Sequence, residues 1–232
     1  MKTRVAVASL LSVAALAAAC GGLQPEDPAL ALKQGGAAIG GLKTVTATLK
    51  VTKGTISFQG FALVSATAGI RLPDQSDTVY LVRQQDVQIG LEVVIISGHV
   101  FLKPPLLRFE PLTAAQAADI PDLSQLFDPQ TGLPAIIPQG RSPKYLGVET
   151  IDDVDSHRVE ATYTSDQVRG MLAQLSSQGD VDAIVWVGGS DHYIRKAVLS
   201  GKFGDNGSDA TIEVDLKGFN GTVNIASPGR TG

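Results

Sequence analysis

The sequence predicts an α+β fold dominated by antiparallel β-structure, and three features carry that prediction. In residues 86–97, DVQIGLEVVIIS, Val87, Ile89, Leu91, Val93 and Ile95 alternate with Asp86, Gln88, Gly90 and Glu92, the period of two of a long half-buried strand. Similar alternation recurs along the chain between Gly-, Asp- and Asn-rich turns, the pattern of hairpins. Residues 167–175 alone join a clear capping signal to strong helical spacing. From Val93 to Ile96 the polar side of the long strand also turns apolar, so that end is expected to be covered on both faces. This strand is taken as the element around which the rest is arranged. Its aliphatic face calls for either a long helix or an apolar ligand against it.

Residues 1–19 read as a signal peptide. Lys2 and Arg4 form a short positive region, and residues 5–19 are an uncharged, Ala-rich apolar run, short for a membrane span but suited to a signal-peptide core. The run ends in Leu16-Ala17-Ala18-Ala19-Cys20-Gly21-Gly22, with the chain's single cysteine. Small residues leading to a cysteine look like a bacterial lipobox, in which the thiol takes up diacylglycerol and becomes the new N-terminus. Ala17 stands where Leu is usual. The alternative is ordinary secretory cleavage near Ala19, leaving a free thiol. A lone cysteine makes no internal disulfide, and an exposed thiol is a poor choice outside the cytoplasm, which favours the anchor. Two or three acyl chains hold firmly where one is marginal.

Loss of Lys2 and Arg4 takes Lys+Arg from 19 to 17 against 23 Asp+Glu, a mature net charge of −6. That excludes a basic nucleic-acid footprint and argues against broad attraction to anionic lipid. The boundaries follow: residues 1–19 signal peptide, 20–28 a lipidated polar tether, 29–226 one β-rich domain, and 227–232 a flexible tail.

Residues 29–42 have helical spacing, with Leu32, Ala37 (or Gly36) and Ile39 on one face. Gly35, Gly36, Gly40 and Gly41 weaken it, each by up to about 1 kcal/mol relative to Ala; they allow either close packing or loose order. Val45, Ala47, Leu49 and Val51 alternate with Thr44, Thr46, Thr48 and Lys50 as a one-sided strand. After a Lys53-Gly54 turn, residues 56–64 continue extended. Residues 66–72 and 78–83 form two strands about a turn at 73–77. Residues 99–103 return beside the long strand after Ser97-Gly98.

At Pro104-Pro105 the pattern breaks. Residues 104–143 hold eight prolines yet keep a dense set of Leu, Ile and Phe, too apolar for a disordered linker. Residues 113–119 and 131–137 suggest short helices, the second placing Leu133, Ile136 and Ile137 together. Such elements cap the open face of a sheet.

Residues 145–151 lead through an acidic turn at 152–155 into a strand at 158–163. Thr164-Ser165-Asp166 caps the helix at 167–175, which puts Val168, Met171, Leu172 and Leu175 on one face. In residues 180–187, Val181, Ala183, Val185 and Val187 oppose Ile184 and Trp186. Strands at 192–203, 209–217 and 221–225 complete the series, with a hairpin signal at Asp205-Asn206-Gly207-Ser208.

No catalytic or metal constellation emerges. His99, His157 and His192 lack ligand-like spacing. Gly188-Gly189-Ser190-Asp191-His192 lacks the closing Gly and following helix of a nucleophile turn and reads as a hairpin loop. Asp152, Asp153 and Asp155 lack the distal Glu of a calcium loop. The chain is read as no enzyme and as needing no cofactor.

Several segments together resemble the LppX/LprA/LprF/LprG family of actinobacterial lipoproteins. They are Phe127-Asp128-Pro129 with Thr131-Gly132-Leu133, and Gly147-Val148-Glu149-Thr150-Ile151-Asp152 leading to His157-Arg158-Val159. Ala183-Ile184-Val185-Trp186-Val187 and Ala197-Val198-Leu199-Ser200-Gly201 follow in order. The resemblance implies a half-barrel: one strongly curved antiparallel sheet wrapped over a few helices, with an apolar cavity. It implies multi-acyl lipids or lipoglycans as cargo and, for at least one member, work beside a membrane transporter.

Transfer energies point the same way. A chain of about 16 carbons costs on the order of 13 kcal/mol to carry bare through water, at about 0.8 kcal/mol per methylene. The candidate cavity residues are Val87, Ile89, Leu91, Val93 and Ile95, the roof residues Leu133, Ile136 and Ile137, the helix residues Met171, Leu172 and Leu175, and Val185 and Val187. The expected function is a carrier of acylated lipids, anchored outside the cytoplasmic membrane through Cys20. The alternative is a scaffolding lipoprotein in which the same residues fill a solid core and the partner is another envelope protein.

Overall fold

Hairpin chemistry sets the course of the chain. The computed structural model describes residues 23–171 and 177–228. Helix α1 (Pro28–Gly40) precedes strands β1 (Thr44–Lys53), β2 (Ser57–Phe58), β3 (Phe61–Arg71), β4 (Gln75–Gln84), β5 (Val87–Ile96), β6 (His99–Lys103) and β7 (Glu110–Pro111). A crossover holds α2 (Ala114–Ala117), a 3₁₀ turn at Leu123–Phe127, α3 (Leu133–Ile136) and a 3₁₀ turn at Ile137–Gln139. Then come β8 (Arg141–Ile151), β9 (Val154–Tyr163), α4 (Ser165–Met171), β10 (Val181–Gly188), β11 (Ile194–Gly201) and β12 (Ala210–Lys217). Gln59-Gly60, Ser97-Gly98 and Asp152-Asp153 are two-residue turns with φ positive at both positions, the twist that continues smoothly into paired strands. The acidic turn is thus tighter than residues 152–155, and Val154 already pairs with Ile151.

Among the described residues, twelve strands form one curved, unclosed antiparallel sheet. Its order is β7-β6-β5-β4-β3-β1-β12-β11-β10-β9-β8, with β2 beside β3. Two meanders are therefore joined where the first and last strands meet, Leu49 opposite Val214 and Ala47 opposite Leu216. The long strand β5 is not the centre of the molecule. It lies third from one edge, and the middle belongs to the β1–β12 pair.

This topology explains the proline-rich crossover. Strand β7 lies at one edge and β8 at the other, so residues 112–140 have to traverse the concave face, burying Ile120 and Phe127 on the way.

Three expected strands differ in detail. Residues 61–64 and 66–72 are one strand, β3, with a register shift between Leu63 and Ser65. Strand β4 starts at Gln75, inside the expected turn. Residues 221–225 form no strand, because β12 is already paired on both sides, by β1 and β11. Positive φ at Gly218 and Asn220 turns the chain away. It is held there by Thr44 Oγ1 donating to the Gly221 carbonyl at 2.7 Å and by the Arg71 guanidinium on the Val223 carbonyl.

Helix α1 is capped by Asp27, whose carboxylate accepts from Leu30 N at 2.9 Å. It buries Ala31, Leu32, Gly35, Gly36 and Ile39, so Gly36 rather than Ala37 completes the inner face. Its glycines serve close packing. A Cβ on Gly36 would lie 2.9 Å from both the Pro134 carbonyl oxygen and Pro138 Cγ. Gly36→Val is accordingly expected to cost about 2 kcal/mol in overpacking and to lower Tm by roughly 4–8 °C, read by thermal unfolding. An unchanged Tm would mean that the helix and the crossover part freely.

The segment ahead of α1 is engaged with the sheet. Glu26 places a carboxylate oxygen 3.2 Å from His157 Nε2 on β9, and the Leu23 side chain fills the space above Gly189. Cys20, the predicted signal peptide, Leu172, Leu175 and residues 229–232 lie outside the described residues.

Candidate ligand cavity

The floor of the cavity is the inner face of five neighbouring strands. Val181, Ala183 and Val185 of β10 alternate inward, flanked by Tyr163 of β9, by Ile194, Ala197 and Leu199 of β11, by Val214 and Leu216 of β12, and by Leu49 of β1. A bulge between Trp186 and Val187 shifts the register of β11. This lets Ile194 and Ala197, three residues apart, both face inward. Where neighbouring positions carry Val or Leu, Ala183 and Ala197 leave room. The roof is Ile39 of α1, Leu123 and Leu126, Leu133 and Ile136 of α3, Ile137, and Val168 of α4.

These walls enclose a volume of about 120 Å³, within a wider space of about 980 Å³ that includes the part open to solvent. Apart from the Tyr163 hydroxyl, every lining side chain among the described residues is apolar. That hydroxyl donates to the Ile137 carbonyl at 2.9 Å, pinning the roof to the sheet, and burial pushes its pKa upward. Among the described residues the lining holds no carboxylate, histidine, cysteine or cation. Such a space offers dispersion and dehydration only.

The roof owes its shape to local chemistry at residues 127–133. Phe127 is buried at 2% exposure and anchors the 3₁₀ turn. The Asp128 carboxylate accepts from Gln130 N and Thr131 N, both at 2.8 Å, and from Thr131 Oγ1 at 3.0 Å. These bonds, the Gln130 amide first, hold its carboxyl below the usual range. Gly132 then passes so close to the preceding turn that a Cβ would sit 2.5 Å from the Leu126 carbonyl oxygen. The result folds Leu133 and Ile136 back over the sheet.

A second, larger space of about 450 Å³ lies beside the first, between β1–β4 and the crossover. Its inner wall is apolar, with Phe58 stacked on Tyr80 at 4.4 Å between ring centroids. Ser57, Gln59 and Asp119 border its solvent side, and Gln59 Nε2 donates to the Asp119 carbonyl at 3.1 Å.

Of the residues singled out from the sequence, Leu133, Ile136, Ile137 and Val185 line the first cavity. Val187 is buried beside it, against Gly35 of α1. The five aliphatic residues of β5 do not line it. Val93 and Ile95 are buried in a separate cluster with Phe58, Tyr80, Val82 and Ile120; Ile89 and Leu91 pack at its margin, and Val87 is 63% exposed. The reason is distance along the sheet. Strand β5 is three places from β1, or about 14 Å at the usual strand spacing. Met171 is the last described residue of α4, whose Val168 reaches the cavity. Sequence reasoning missed the contributions of β11, β12 and Leu49, because they depend on the first and last strands being neighbours. The local signal available was the pair of alanines. Among the other motifs, Gly188–His192 is the β10–β11 hairpin loop, closed by Arg195 on Asp191 at 2.7 Å.

Comparison with known proteins agrees with this architecture. A family model described as LppX_LprAFG lipoprotein matches residues 27–225. A Mycolicibacterium smegmatis protein named lipoarabinomannan carrier protein LprG is 26% identical over 136 residues, 58% of this chain and 55% of that protein. The protein of the same name from Mycobacterium tuberculosis is 26% identical over 113 residues, 48% of this chain and 46% of that one. The chain thus spans about half the length of the curated relatives it matches. Among solved structures, LprF from Mycobacterium bovis superposes with a TM-score of 0.69 at 17% identity, covering 89% of this chain and 99% of that one. LppX from Mycobacterium tuberculosis gives 0.60 at 20% identity, covering 87% and 100%. At these identities the likeness speaks for the fold.

Proposed function

Because the chain belongs to the LppX_LprAFG lipoprotein family, we propose that it is a membrane-anchored envelope lipoprotein that takes the alkyl part of acylated lipids or lipoglycans into its cavity and carries them across the envelope. The observation that supports this most is a space walled by apolar side chains beneath a roof that packs without filling it. The relatives named as lipoarabinomannan carriers support an acylated cargo. Anchoring through Cys20 outside the cytoplasmic membrane, and delivery to or from a membrane transporter, belong to the same reading.

The test is native mass spectrometry of the purified mature chain. Co-purifying lipid of several hundred daltons supports the carrier. A bare mass favours a scaffolding lipoprotein, a reading to which the narrowness of the cavity lends weight: about 120 Å³ is below the roughly 300–1,000 Å³ common for ligand pockets.

A paired substitution checks which wall matters. Val185→Arg puts an unpaired charge into the cavity floor and is expected to abolish loading. Leu91→Arg, at the margin of the other cluster, is expected to leave the bound mass unchanged. Loss of lipid in both, with normal thermal stability, would move the binding site toward β5.

A further inference from the structure

The hairpin that joins β6 to β7 at the edge of the sheet, Pro104-Pro105-Leu106-Leu107-Arg108-Phe109, turns apolar side chains outward. Its tip is a tight turn closed by Leu107 N donating to the Pro104 carbonyl at 3.2 Å. Pro105 has the fixed backbone angle suited to the second position of such a turn. Leu106 takes the third with φ +64°, where glycine or asparagine is usual. Leu106 is fully exposed, so no packing among the described residues offsets the strain of a leucine there. Leu107 beside it is 58% exposed. The base of the hairpin is by contrast fixed. Lys103 pairs with Glu92 at 2.8 Å and lies 5.2 Å from the centre of the Phe109 ring, and Leu102 pairs with Glu110 across the two strands. Arg108 is exposed next to the leucines, while Glu92 and Glu110 stand at the base.

We propose that this hairpin dips into a phospholipid bilayer, Leu106 and Leu107 entering the acyl boundary and the Arg108 guanidinium resting among the phosphates. The inference does not rest on the carrier reading. An apolar tip followed by a cation and an aromatic ring is the order that suits a membrane interface. Pro104 and Pro105 lack N–H groups, so the tip brings fewer backbone donors to be dehydrated. Area argues against a protein in the same place. Two leucines cover a small part of the about 800 Å² that each side of a stable interface buries, whereas a bilayer needs no complementary pocket. Two leucines are also too few to hold the protein by themselves, since even a single acyl chain is marginal. The loop therefore sets orientation and contact at a bilayer, and the proposed Cys20 anchor supplies residence.

The test uses the purified mature chain carrying Cys20→Ala, so that no acyl chain contributes, with phosphatidylcholine vesicles in large excess. Leu106→Trp and, independently, Leu107→Trp place a fluorophore at the tip; Trp186 is buried and serves as a constant background. Each emission is expected to shift to the blue on adding vesicles and to be quenched by phosphatidylcholine brominated along its acyl chains. Val79→Trp, at an exposed apolar position on β4, should show neither change. Leu106→Asn with Leu107→Ser is expected to lower vesicle partitioning by at least about tenfold, the effect of returning roughly two methylenes to water. Its Tm should hold or rise, because asparagine suits the left-handed position, and this separates loss of contact from loss of fold. Emission at 106 and 107 unmoved by vesicles, equal quenching at 79, or partitioning unchanged in the double variant overturns the inference. So does a tip that stays in water on vesicles yet is shielded on native envelope membranes, which would assign it to a protein partner.

Discussion

Filling the cavity floor, with Ala183→Leu and Ala197→Leu together, is expected to empty the protein of lipid while leaving the fold intact. Both alanines face inward beneath the roof, Ala183 opposite Leu199 and Ala197 opposite Val185. The added side chains project into existing space, so the usual overpacking cost is reduced. Their burial contributes about 0.8 kcal/mol per methylene, and Tm should hold or rise. The same atoms take up much of the cavity's about 120 Å³, the space open to an alkyl chain in this reading. A carrier should therefore show a bare mass by native mass spectrometry and no uptake of a fluorescent fatty acid. Full loading in the double variant would mean that lipid, if present, sits elsewhere. The effect is large because a cavity without polar groups offers no second way to hold its guest.

The strands and turns were legible from local pattern, and the cavity was not. Alternation in β1, β5 and β10 and the turns Ser97-Gly98 and Asp152-Asp153 are properties of a few adjacent residues, so the sequence carries them openly. The strength of alternation in β5 reports that one face is covered. It says nothing of where in the sheet the strand lies, so alternation alone puts β5 at the centre when it is third from an edge. The pairing of β1 with β12 joins residues more than 150 positions apart, and no local signal announces it. Residues 221–225 alternate like a strand but find no free edge, since tertiary context overrides propensity. Leu133, Ile136 and Ile137 were recognisable because an apolar, proline-rich crossover has to cover something. Leu199, Val214 and Leu216 look the same in sequence whether they border a packed core or a void. What separates the two is the size of the neighbours, here Ala183 and Ala197.

Cys20→Ala should move the protein from the membrane to the soluble fraction without changing its Tm or its bound lipid. With residues 1–19 removed, as proposed, 17 Lys+Arg stand against 23 Asp+Glu, a net charge of −6 that argues against broad attraction to anionic lipid once the acyl chains are gone. Among the described residues no helix is long and apolar enough to cross a bilayer. The anchor is thus expected to supply nearly all of the attachment, and two or three chains hold where one is marginal. Where it attaches also matters. Leu23 rests on Gly189 and Glu26 on His157, and the three Cα-to-Cα steps from Cys20 to Leu23 span at most about 11 Å. An acylated Cys20 would hold the end of the sheet bearing the β10–β11 turn against the membrane, and fractionation of cells expressing the variant reads this directly. Firm attachment of Cys20→Ala would show that another surface binds the bilayer. Release together with loss of bound lipid would instead tie loading to the membrane itself, with the cavity filled only while the protein stays docked there.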